Sequence, residues 1–137
     1  MKEPKMYIEN EEEANSLLKE WQERLFLQHW NISFYVADSL SNEDAGQSIV
    51  QWVNSCGTIT LLSEKTLKEK GGFIEKVCHE QILIHELLHF KYMWLNGSSL
   101  ESTVYAEKQH QLLEQMAKSL YMAKYDLSYD WFKGQEG

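Results

Sequence analysis

The chain has 137 residues, 43% of them hydrophobic, with 5 Trp, 7 Tyr and 5 Phe, so one domain can bury a core without disulfide or metal staples, and any metal is expected to serve function. A formal charge of −8 and the lack of a basic run interleaved with aromatics disfavour a phosphate backbone, so nucleic acid is not an expected partner. Met1 to Asn10 do not read as a secretory signal, no stretch is apolar for long enough to span a membrane, and Cys56 and Cys78 make no CxxC pair; a cytoplasmic protein with reduced thiols and no membrane partner is expected.

Asn10 followed by Glu13 is a capping-box pattern, and Leu17, Leu18, Trp21 and Leu25 recur at helical spacing, which predicts a first helix over residues 11–28. His29 is expected to close it, where an imidazolium favours the helix dipole. Ile32, Phe34 and Val36 then alternate as in a half-buried strand. The segment Ser39 to Gln47 is rich in turn formers, and Ile49, Val50, Trp52 and Val53 mark a second strand over 48–54, so a hairpin is expected here. Ser55 and Gly57 are expected to turn the chain into a third strand, the β-branched stretch Thr58 to Leu62. Ser63 to Lys70 is polar and predicts one helical turn.

Gly71 and Gly72 stop that turn. From Phe73, the apolar positions Ile74, Val77, Ile84, Leu87 and Leu88 predict a long central helix ending near Asn96 and Gly97. Ser98 or Ser99 can cap a last long helix, on which Leu112, Leu113, Met116, Leu120 and Tyr121 recur at helical spacing. After Asp126 an irregular tail is expected, its aromatics Tyr129, Trp131 and Phe132 folding back on the body. With no repeat, linker or low-complexity segment, residues 1–137 read as one α+β domain: an N-terminal helix, a short three-stranded sheet, a central helix and a C-terminal helix.

The chemistry concentrates in His85-Glu86-Leu87-Leu88-His89. Two histidines four apart on a helix project from one face and can grip one ion together, while Glu86 is rotated away and can face a water held on that ion. Imidazole nitrogen suits zinc, and a site with three protein ligands leaves a position where zinc activates water, with Glu86 as general base. Left unpaired in so apolar a helix, the same three side chains would be costly to bury.

A third ligand must come from elsewhere. His110 shares a helix face with Ala106, Leu113 and Ala117, whose small alanines allow close approach to the central helix. Glu107, one turn earlier and nearer the flank, is the alternative ligand or a hydrogen-bond partner of a ligand imidazole, and Glu101 is a weaker option. Tyr92, three residues beyond His89, or Tyr105 could donate to a developing oxyanion. His29 and His79 read as structural, and Cys78, seven residues before His85, as a small buried hydrophobe.

The helix-borne HELLH, with this order of elements around it, resembles the zincins, the superfamily of HExxH zinc metallopeptidases, and is similar to its minimal members, among them small phage-type metallopeptidases. The resemblance implies zinc held by His85 and His89, Glu86 as base, and an extended peptide or protein substrate paired along a strand before the motif helix, a role falling to Gly57 to Leu62. Lys91 to Gly97 offers no third histidine of the HExxHxxGxxH type, nor is there an NExxSD helix or a cysteine-rich ribbon. The expected function is thus that of a metalloprotease, a hydrolase; the alternative is a non-catalytic, metal-stabilised regulatory or protein-interaction domain, and a binding module without metal comes third.

Overall fold

A computed structural model describes residues 4–40, 45–70, 78–92 and 103–132, of which 92, 103–106 and 132 are described by backbone alone. The chain forms α1 (Glu11–Arg24), β1 (Asn31–Ala37), β2 (Gly46–Gln51), β3 (Cys56–Leu62), α2 (Glu64–Lys70), α3 (His79–Tyr92), α4 (Thr103–Tyr125) and α5 (Tyr129–Phe132). This is the expected α+β layout.

The capping box starts α1: Asn10 Oδ1 accepts from Glu13 N–H at 2.8 Å, and Glu13 Oε1 accepts from Glu9 N–H at 2.8 Å. The helix ends at Arg24 rather than 28, because Phe26 turns left-handed (φ 64) and its ring is 77% exposed. His29 therefore does not close the helix; it lies beyond it, exposed, with its ring tilted against Trp30. The buried face of α1, Ala14, Leu18 and Trp21, packs on α3.

The sheet has the order β1-β3-β2, with β1 parallel and β2 antiparallel to β3. The expected hairpin across Ser39 to Gln47 does not form, since β1 and β2 flank the sheet on opposite sides; the hairpin is β2–β3. Its turn falls at Trp52 to Ser55, where Ser55 takes φ 53, so Trp52 and Val53 are turn residues and not strand. Gly57 lies inside β3 and not in the turn. A Cβ there would stand 2.3 Å from Ile49 O and 2.6 Å from Phe90 Cε2, so the glycine lets the motif helix close on the sheet.

Ser63 caps α2, its hydroxyl accepting from Thr66 N–H at 3.3 Å. Buried on several sides, α3 is the centre of the molecule: Leu83, Ile84, Leu87 and Leu88 are buried, with β2 and β3 on one side, α4 on another and α1 on a third. Removing one such side chain from water contributes about 2 kcal/mol. Its expected flanks, Ile74, Val77 and Asn96-Gly97, lie outside the described residues, as do Ser98 and Ser99 as caps of α4. Beyond Asp126 the chain is not irregular throughout, since Tyr129–Phe132 make a helical turn, from which Trp131 folds back to 5.6 Å from Tyr121 while Tyr129 stays exposed.

His79 is structural, as its lack of a metal partner implied. Its Nδ1 accepts from Ile8 N–H at 2.9 Å and its Nε2 lies 2.8 Å from Leu62 O, which sets the Nε2–H tautomer and ties the N-terminal segment and β3 to the start of α3. Glu80 is buried yet satisfied: Trp21 Nε1–H donates at 2.7 Å, Lys124 Nζ at 2.6 Å, and the Tyr125 hydroxyl also donates. Burial pulls the Lys124 ammonium down, but its bonds to Glu80, Tyr125 and Glu20 outweigh this and hold it up at about 12. The pair fixes α4 against α3 and α1. No helix among the described residues is long and apolar enough to cross a membrane.

Candidate metal centre

Helical periodicity puts His85 and His89 on one face of α3, and the packing of α4 brings a third imidazole to them. The ring centroids lie 5.1 Å apart for His85 and His89, 4.5 Å for His85 and His110, and 6.0 Å for His89 and His110. One ligand atom from each falls within 4.8 Å of the others. The α4 face that carries His110 buries Leu113 and Ala117 completely, the close approach anticipated from the small residue.

Exposure is graded across the three: His85 is buried, His89 half-buried and His110 exposed. The group thus opens to solvent on the α4 side. Burial first, then the neighbouring His85 and His110, push His89 down from 6.5 to about 4, so its ring is neutral at physiological pH with a lone pair to offer.

The carboxylate beside His85 is that of Glu114. Glu114 Oε1 lies 2.8 Å from His85 Nδ1, and the nearby imidazole holds the Glu114 carboxyl below the usual range against the upward pull of burial. A carboxylate beside Nδ1 favours the tautomer in which Nε2 is the atom His85 can offer to an ion. Glu107 is exposed one turn before His110 and stands outside the three-imidazole group. The signal for Glu114 was present, four residues after His110 and on its face of the helix. Glu101 lies outside the described residues, as do the side chains of Tyr92 and Tyr105.

Three imidazoles, one kept neutral by burial and one with a carboxylate beside it, fit zinc in chemistry and number. Cys78, buried just before α3, is not among them; desolvation pushes its thiol up to about 11, which makes it a poor thiolate donor.

Glu86, one residue on from His85, is buried on the sheet side, where α3 crosses the start of β2. A Cβ on Gly46 would stand 3.0 Å from Glu86 Oε2, 2.6 Å from Ile82 Cγ2 and 3.1 Å from Leu61 Cδ2, so the glycine makes room for the carboxylate. β3 cannot pair with an extended substrate, because β1 and β2 already occupy both its edges. Among the described residues β2 pairs with β3 alone, and its first residue, Gly46, lies beside Glu86.

No family model, curated protein or solved structure matches the chain.

Proposed function

We propose that the protein is a zinc-dependent metallopeptidase of zincin type, with His85, His89 and His110 as metal ligands and Glu86 as general base. The observation that carries this reading is the meeting of the three imidazoles, from two helices, within 4.8 Å of one another. Exposure at His110 favours a catalytic over a structural site, since structural zinc is closed by a fourth protein ligand whereas catalytic zinc keeps a position open.

A zinc ion held there supplies Lewis-acid polarisation of the scissile carbonyl. The chain's own groups do the rest. His85 and His89 keep their rings on one face, Glu114 orients His85, and Glu86 offers Oε2 to take a proton from water and return it to the leaving amine nitrogen. The β2 edge away from β3, which pairs with no other strand among the described residues, would offer backbone groups to an extended peptide and lay its scissile bond beside Glu86.

Glu86→Gln separates this reading from a metal-stabilised interaction domain. The variant should keep its zinc and its melting temperature while hydrolysis of an extended peptide library falls by about 10²- to 10⁴-fold. Absence of hydrolysis in the zinc-loaded wild type would favour the interaction domain.

A further inference from the structure

Behind the three imidazoles runs a second line of polar groups that crosses from one ligand helix to the other. Glu114 presents Oε1 to His85 Nδ1 at 2.8 Å, while its Oε2 accepts from Gln81 Nε2 at 3.3 Å. Gln81 stands one turn before His85 on α3, and Glu114 one turn after His110 on α4. Each carboxylate oxygen therefore has a nitrogen beside it, one from the amide of Gln81 and one from the imidazole of His85.

We propose that Gln81 and Glu114 are positioning residues that set the tautomer of His85 and thereby the metal affinity of the site. The proposal rests on the metal reading above for its consequence, though not for its geometry. An imidazole donating Nδ1–H to a carboxylate keeps its lone pair on Nε2 and becomes a more basic ligand. Glu114 acts on His85 directly, and Gln81 acts through Glu114.

Gln81 itself supports this. It is only 4% exposed, and its Oε1 is buried with no hydrogen-bond partner among the described residues. An orphaned buried carbonyl is costly, and a leucine of similar volume would avoid that cost. What glutamine supplies here and leucine would not is the amide N–H toward Glu114.

The test uses the full chain, first free of metal and then titrated with zinc against a chromophoric chelator. Long-range proton–nitrogen correlations on His85 read its tautomer, and Glu114→Gln and Gln81→Leu preserve side-chain shape. The expected wild-type tautomer is Nδ1–H. Glu114→Gln should raise the Nε2–H population and weaken zinc binding by about 10- to 100-fold. Gln81→Leu should weaken it by a smaller factor, while the melting temperature of the metal-free protein stays level or rises.

A packing role predicts the reverse for Gln81→Leu, with unchanged zinc affinity and a lower melting temperature, and that result overturns the proposal for Gln81. A wild-type protein that takes no zinc sinks the metal reading alone; the tautomer then decides, and an Nε2–H His85, or one unmoved by Glu114→Gln, overturns the positioning role.

Discussion

Gly46 and Glu86 touch across the boundary between sheet and helix: a single methyl group added to the glycine would meet the carboxylate oxygen Oε2 at 3.0 Å. The close approach sits at the start of β2, so the strand and the proposed base pack directly against one another. Gly46→Ala should therefore cost about 1 to 3 kcal/mol in chemical denaturation, because Ile82 Cγ2 at 2.6 Å must also give way. It should lower peptide turnover more than zinc content, since the displaced group is Glu86 and not an imidazole. Equal losses of both would show that the substitution disturbs α3 as a whole.

Acidification should weaken the metal-free fold. His89 binds its proton near 4 in the folded chain, against 6.5 without its burial and its histidine neighbours. Between those values the unfolded chain holds a proton that the folded chain lacks, so stability is lost as pH falls and is fully present above about 7. In a chelator-containing buffer the melting temperature should drop between about pH 7 and about pH 5, and the drop should be shallower in His89→Gln. A flat profile in the wild type would contradict the neutral, desolvated ring.

The ion pair between Lys124 and Glu80 is a second place where burial makes a prediction. Lys124→Met leaves Glu80 charged and buried with only Trp21 and Tyr125 to donate, at a cost of roughly 3 kcal/mol by denaturant titration. Adding Glu80→Gln removes the orphaned charge, so the double variant should recover part of the loss. Strict additivity of the two substitutions would mean that the pair does not interact in the folded state.

Local signals carried far in this chain, and long-range pairing did not. Asn10 and Glu13 announced α1 because a capping box is complete within four residues, and His85 and His89 announced one helix face for the same reason. His110 was within reach because Leu113 and Ala117 mark the face that α4 buries. The partner of β1 was not legible: nothing in Ile32, Phe34 or Val36 says whether the neighbour is the next strand or the one after, and the pairing with β3 joins residues about 25 apart in the chain. Glu80 hid its role for a related reason, since its donors come from α1 and α4. Glu114 was missed on the other side of His110 from Glu107, a choice between two carboxylates about one turn away that only the crossing of α4 over α3 settles.

Metal content measured across ligand variants tests the central claim most directly. Wild-type protein purified and dialysed against zinc should retain one ion per chain, as should Glu107→Ala, while His85→Ala, His89→Ala and His110→Ala should each lose it. Zinc retained by His110→Ala but lost by Glu107→Ala, or absent from the wild type, would contradict the three-imidazole site.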